Sequence, residues 1–482
     1  MHFTAQVLSP AEQSQIDQES RRILSEVGVK YHGQQALKLL KRNGAPVDES
    51  LQIARLPSPM VDEALAAAPK SFVLGARNPV YDYGLPSPTS RYCLDGTGSF
   101  VVDFVTGERR YGTVADIVRG LRVFHEMDMG VMAWSPVAAS DAPAHSRPLH
   151  EFFAMMRGTS KHGQHELHLY EQTPYLAAGL KAVLGSEAAV RARKSYSLIY
   201  CPVAPLMHDG DMLDAYLDLG DLDMPVMVMP MPVNGTTGPA SLFSNLSLAN
   251  AEVLSALVVF QLRHPGRPVI YSNAMGSVDF KTGGYLGGTP EMALQSAAMV
   301  AMGRFYGLPA TCAGCTADAR HPGPEAVLEK LLTTLPQVSV GADIIVGLGE
   351  IEADQTLILE QLVVDNEIGR LCERVFAGVD TSAAKDLFDD VAKVGPGGNF
   401  LRTRHTRQLA HSDEFYRSSL FDRHTYEAWV SLGRPTLYSN ARKKVAEILA
   451  RPPADPLPEA VLHELDEILA AADKELAGRD ED

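Results

Sequence analysis

Apolar and polar positions along the 482-residue chain fall into three successive patterns. Over residues 9–27 the apolar Ile16, Ile23, Leu24 and Val27 recur near the helical period. Ser9-Pro10-Ala11-Glu12 ahead of them supplies a cap, a first-turn proline and an acid. Two more helices are predicted around Gly33–Arg42 and Ser58–Ala67, so residues 1–90 read as an N-terminal helical segment. From Tyr92 short apolar strands alternate with amphipathic helices. Strands are predicted at Tyr92–Thr97, Val131–Val137, His162–Leu167, Ser197–Val203, Val226–Pro232, Val269–Ala274, Ala310–Cys315 and Asp343–Leu348. A helical stretch follows each, the last at Thr356–Ala377, and a hairpin about Thr106-Gly107 interrupts the first connection. Near-continuous apolar strands, each followed by a helix, predict an α/β fold, a (β/α)8 TIM barrel over residues 91–380. The competing doubly wound sheet lacks a G-x-G-x-x-G after any strand. Residues 381–482 read as a C-terminal helical extension packed on the barrel. It contains the loop Val394–Phe400, a helix over Glu459–Leu476 and a frayed tail at Gly478–Asp482.

The stretch Asp279–Arg320 carries the strongest local signal. Its glycines 283, 284, 287 and 288 form a loop, and Thr289-Pro290-Glu291 then caps a helix. A short strand follows and empties into Thr316, Asp318 and Arg320, where a barrel enzyme keeps its chemistry.

Composition narrows the function classes. A hydrophobic fraction of 45% and a charged fraction of 21% are those of an ordinary soluble protein. The net charge of -16 argues against a nucleic-acid or anionic-membrane partner. Five cysteines form no disulfide framework and fit a reducing cytoplasm. The opening residues lack a signal-peptide pattern, and no uninterrupted apolar run reaches the ~18 residues of a membrane span.

Barrel chemistry gathers at strand ends, which gives Asp95, Trp134, His165, Tyr200, His208, Asn234, Tyr271, Asn273, Cys315, Asp318 and Glu350 as candidates. Phe100 and Tyr285 join them from loops. Aromatic faces suit a quaternary ammonium, a cation with no hydrogen to donate. The alternative is that these rings fill the barrel. His162, His165 and His168 have ligand-like spacing, but an interval of three on a strand puts neighbours on opposite faces. Cys312-x2-Cys315 lies in a strand with no second pair, so two buried, inert thiols are expected and no metal site is assigned. Asp422-x-His424 begins like the motif that places histidine beneath cobalamin, but position 427 is Glu, so no resident corrinoid is expected.

The blocks D-F-V-T-G-E-R-R, V-N-G-T-T-G-P-A, D-F-K-T-G-G-Y-L-G-G-T-P-E, L-P-A-T-C-A-G-C-T-A-D-A-R and V-G-P-G-G-N-F-L together resemble the trimethylamine methyltransferase family, over about residues 9–450. That resemblance implies a (β/α)8 barrel moving a methyl group from a methylated amine to the Co(I) of cobalamin on a separate corrinoid protein. The founding members carry pyrrolysine, and the corresponding position here falls near Cys315–Asp318, among ordinary residues. Members without it are associated with quaternary amines such as glycine betaine, proline betaine, carnitine or γ-butyrobetaine. On this reading Asp318 and His405 are the catalytic candidates. Trp134, His165, Tyr200, Asn234, Tyr271, Asn273, Tyr285 and Phe100 would bind substrate, and Gly397, Gly398 and Asn399 would meet the corrinoid. A betaine would also need its carboxylate held, with Arg304, Lys281 or the backbone of the Gly283–Gly288 loop as candidates. Homo-oligomerisation stays open. The competing functions are a metal-assisted barrel lyase or hydrolase and a non-catalytic quaternary-amine binder.

Overall fold

The computed structural model describes residues 5–478. Eight parallel strands run in chain order round a barrel: β1 (Arg91–Leu94), β2 (Gly130–Ala133), β3 (His162–His165), β4 (Tyr196–Tyr200), β5 (Val226–Val228), β6 (Val269–Tyr271), β7 (Thr311–Ala313) and β8 (Ile344–Leu348). Strand β8 pairs back to β1, and a bridge between Tyr271 and Ala310 closes the seam between β6 and β7. One main helix follows each strand: α1 (Val114–His125), α2 (Arg147–Gly158), α3 (Thr173–Leu184), α4 (Gly210–Leu219), α5 (Leu242–Arg263), α6 (Pro290–Phe305), α7 (Pro324–Leu332) and α8 (Leu359–Phe376). Most strands end a few residues before the apolar run does, and the residues left over build the mouth.

Register sorts the side chains. Ile199, Met227 and Ile270 lie side by side and share one cluster, while their neighbours Leu198, Val226 and Val269 belong to another with Tyr216 of α4 and Phe260 of α5. Successive residues of a strand face opposite ways, so the first set points into the bore and the second under the helices. Both faces are buried, which is why these strands read as apolar runs rather than alternations.

Helix α5 is long and apolar enough to cross a membrane, but 83% of its apolar window is buried inside the protein. The N-terminal helices Pro10–Arg22 and Ser58–Ala67 cover its outer side. The expected cap at Ser9 is present: Glu12 N donates to Ser9 Oγ at 3.3 Å and Ser9 N to Glu12 Oε2 at 2.7 Å. The segment is not purely helical, however. Val29–Tyr31, Val47–Asp48 and Ile53–Ala54 form a small sheet with Met207–His208 from the loop after β4. Pairing with that barrel loop supplies hydrogen bonds that periodicity within the segment could not reveal.

The hairpin Phe100–Val102 with Arg109–Tyr111 forms as expected and continues into Thr356–Leu357 and Glu350–Ile351, beyond β8. At the other end of the chain Leu437–Leu449 packs on α8 and α1, and Glu459–Glu475 on α3 and α2. The expected frayed tail lies, past Gly478, outside the described residues.

One group in α5 ties stability to pH. Glu252 is buried and accepts from Leu206 N at 2.8 Å. Burial pushes its carboxyl up from 4.5 to about 8. The folded state therefore holds a proton that the unfolded state releases, and stability falls as pH rises from about 4.5 to 8. Glu252→Gln removes that slope. In thermal melts it should be nearly equal to the parent at pH 5 and more stable at pH 8.5. The expected gain there is on the order of 2–4 kcal/mol, since each tenfold change in proton affinity is worth about 1.4 kcal/mol.

Candidate active site at the barrel mouth

Two groups of side chains meet beyond the strand ends. The first surrounds His165, the last residue of β3, whose register with Leu198 turns it under the helices toward α2. Its Nε2 lies 2.8 Å from Glu151 Oε2 of α2, and its Nδ1 lies 3.1 Å from Glu166 Oε2. Glu166 also accepts from Trp134 Nε1 at 3.0 Å, and Glu151 accepts from Ala139 N at 2.8 Å. Burial alone would lower the imidazole, but Glu166 and Glu151 hold it up at about 10. Burial likewise would raise Glu166, and the His165 charge brings it down to about 2. The Trp134 ring lies flat on Gly96, where a Cβ would come within 2.1 Å of it.

The second group is acidic. Asp95 follows β1, while Glu350 and Asp354 follow β8. Glu350 is fully buried, and among the described residues neither of its oxygens has a hydrogen-bond partner. Asp95 Oδ2 and Asp354 Oδ1 also lack an N–H or O–H donor, and the two carboxyls lie within hydrogen-bond reach of each other. Burial raises all three carboxyls, and for Glu350 and Asp354 the neighbouring acids add to it. Ionising either of two carboxyls that face each other in this way opposes ionising the other. Asp354 reaches its place through a run of left-handed residues, Glu352, Ala353 and Asp354, with φ of 64°, 54° and 62°. Glu352 N and Ala353 N donate to Ala319 O and Ala317 O, both at 2.9 Å, and hold that run in place.

Tyr285 stands beside these acids. Its ring covers Gly276, where a Cβ would fall 2.1 Å away, and 38% of its surface stays exposed. Burial of the phenol raises its pKa, with Asp354, Asp95 and Asp318 adding to the effect. Asp318 spends both oxygens on the glycine loop, accepting from Gly287 N at 2.8 Å and Gly288 N at 3.0 Å. These two bonds give it a role in positioning that loop.

Other expected site residues lie elsewhere. Tyr200 and Tyr271 are fully buried under the helices. Tyr200 is bonded to His208 at 2.7 Å and Tyr271 to Asn250 Oδ1 of α5 at 2.7 Å. They alternate with the bore-facing residues, so they cannot form a cage at the mouth. Asn234 accepts from Gln295 at 2.8 Å and donates to Pro239 O at 3.0 Å, fixing a loop. Asn273 accepts from Ser296 Oγ of α6 at 3.1 Å. The Phe100 ring is already covered by the Arg109 guanidinium, 3.5 Å from its centre. His405 pairs with Asp390 at 2.7 Å in the C-terminal extension, and Gly397, Gly398 and Asn399 form an exposed loop there. Arg304 is bonded to Gly341 O and Asp343, at the opposite end of β8 from the mouth. His162 is bonded to Gly75 O and Ser197 Oγ, well apart in role from the His165 triad. Among the described residues no group of three or more His, Cys, Asp or Glu is arranged to hold a metal.

Sequence reading missed Glu151, Glu166, Asp354, Lys330 and Asp365. Lys330 of α7 is fully buried and donates to Cys315 O at 2.5 Å, Gly347 O at 3.0 Å and Asp365 Oδ2 of α8 at 3.0 Å. Burial would lower its ammonium, and Asp365 reverses the shift and keeps it charged.

A closed parallel barrel with titratable side chains converging beyond its strand ends is a (β/α)8 enzyme with its chemistry at the C-terminal mouth. The family model for trimethylamine methyltransferase (MTTB) matches residues 2–477, and the chain belongs to that family and is a methyltransferase. It is 32% identical over 469 residues to trimethylamine methyltransferase MttB of Methanosarcina barkeri (strain Fusaro / DSM 804), covering 95% of this chain and 93% of that protein. It is 27% identical over 461 residues to glycine betaine methyltransferase of Desulfitobacterium hafniense (strain Y51), covering 95% of each. The solved Methanosarcina barkeri monomethylamine methyltransferase (MtmB) superposes with a TM-score of 0.44 at 12% identity, covering 91% of this chain and 92% of that one.

Lys330→Met should destabilise the protein by about 3–5 kcal/mol, because it leaves Asp365 buried and unpaired. The double variant with Asp365→Leu should recover most of that loss in chemical denaturation. Recovery would identify the cost as the stranded charge rather than lost packing.

Proposed function

We propose that this protein, acting in the cytoplasm, moves a methyl group from a quaternary amine to the Co(I) of a corrinoid carried on a separate protein. Family membership over nearly the whole chain supports the reaction class. The observation that carries the choice of amine is the mouth: buried carboxyls and an exposed tyrosine ring face the same space. Such a lining attracts a permanent cation and needs no hydrogen bond from it.

The acceptor supplies the nucleophile: its electron pair forms the new bond to the methyl carbon, and the C–N pair stays on the departing amine. A quaternary nitrogen leaves as a neutral tertiary amine, so no general acid is required. The work of this chain is to hold the N-methyl group in line and keep water away. Asp318 sets the glycine loop that carries Tyr285. The exposed Gly397-Gly398-Asn399 loop and His405 face solvent on the extension and are assigned to the partner protein rather than to substrate.

Purified protein with free Co(I) cobalamin should give methyl-Co(III), followed by its absorption change, with one or more of tetramethylammonium, choline, glycine betaine and carnitine. Trimethylamine should give no reaction. Binding of a quaternary amine without any methyl transfer would instead identify a non-catalytic binder.

A further inference from the structure

We propose that Asp95, Glu350 and Asp354 form an anionic subsite for the ammonium head of the substrate, selecting quaternary amines that carry no carboxylate beside the nitrogen. This deepens the quaternary-amine reading above and rests on it.

The first ground is the state of Glu350. A fully buried carboxyl with neither oxygen bonded is costly to ionise. The Lys330 charge and the Gly98 backbone ease its pKa, but burial and the neighbouring Asp95 and Asp354 outweigh them. The bore beneath the mouth repeats the pattern: Gln164 Oε1, Ser272 Oγ and Thr311 Oγ1 are buried and unpartnered too. Unpartnered polar atoms on several strands facing one space mark a place built for something else to occupy.

The second ground is that, among the described residues, the neighbouring cations are engaged elsewhere. Lys330 is the ammonium closest in influence to all three acids, and its three N–H bonds go to Cys315 O, Gly347 O and Asp365. Arg109 is committed to Glu352 at 2.9 Å and to the Phe100 ring. Arg320 donates to Asp318 O at the exposed rim. The other groups facing the subsite are Asp318, whose oxygens are on the glycine loop, and the Tyr285 phenol. Among the described residues no group of three or more His, Cys, Asp or Glu is arranged to hold a metal ion here either. A bulky organic cation is the ligand left.

The sign of the lining then decides between quaternary amines. Glycine betaine holds its carboxylate one methylene from the nitrogen and would bring it among three acids with no free cation. Choline and tetramethylammonium bring none. Burial disfavours the ionised form of these carboxyls while the site is empty, and an entering cation favours it. Binding therefore releases a proton, and the association constant rises up to about tenfold per pH unit while one proton is lost.

The test is isothermal titration of the full chain with choline, tetramethylammonium and glycine betaine at pH 6, 7 and 8, in two buffers of different ionisation enthalpy. Choline or tetramethylammonium should bind at least tenfold more tightly than glycine betaine, with affinity rising with pH and a buffer-dependent heat from proton release. Glu350→Gln should lower the affinity at least tenfold and abolish the proton release. Asp354→Asn serves the same purpose if the first variant does not fold. Glycine betaine binding as tightly as choline, or pH-independent binding unchanged in both variants, would overturn the subsite. Methyl transfer from glycine betaine as efficient as from choline would overturn the subsite and leave the proposed reaction standing. The predicted binding pattern without methyl transfer from any quaternary amine would support the subsite and overturn the reaction.

Discussion

The buried pair between Lys330 and Asp365 holds the mouth in place. Taking two charges out of water costs several kcal/mol per ion, and the pair survives only if its remaining hydrogen bonds are made. Here they are. Lys330 also bonds the carbonyls of Cys315 and Gly347, while Asp365 accepts from Gly349 N at 2.7 Å and Gln361 Nε2 at 2.7 Å. The strand ends are bent to serve it: Cys315 stands at φ 55° and Gly347 at φ 145°, a conformation that favours glycine. One ion pair thus joins the last two strands to α7 and α8. Glu350 and Asp354 hang from that junction, and Asp318 lies on the loop that leaves it.

Much of the architecture was legible because it is local. Strand and helix periods, the Ser9–Glu12 cap, the hairpin at Thr106-Gly107 and the Thr289-Pro290 helix start each depend on residues within a few positions of one another. The phase of a strand buried on both faces is not local. Tyr200 and Tyr271 look like mouth residues in the sequence, yet register with Val228 puts them under the helices. An alternating strand would have shown its inner face, and these apolar runs hide theirs.

The charged groups were hidden for a different reason. Glu151 and Glu166 meet through His165 from different elements, and Lys330 and Asp365 come from separate helices. A weak signal existed. Lys330 interrupts V-L-E-K-L-L and Asp365 interrupts L-V-V-D-N, each a charge within an apolar stretch. A charge there has to find a partner elsewhere in the fold, but the sequence does not say which.

The mouth treats its two sets of acids in opposite ways, and that contrast separates scaffold from function. Glu151 and Glu166 flank a charged imidazole, Trp134 Nε1 donates to Glu166 and Ala139 N to Glu151, so each acid of that group already has a protein partner. Asp95, Glu350 and Asp354 are incomplete, and the nearby ammonium that could neutralise them is bound to Asp365 instead. A fold that can satisfy a buried cation as fully as it satisfies Lys330 has the means to satisfy Glu350. Leaving that carboxyl bare at the strand ends, where barrel chemistry gathers, reserves its charge for a visitor.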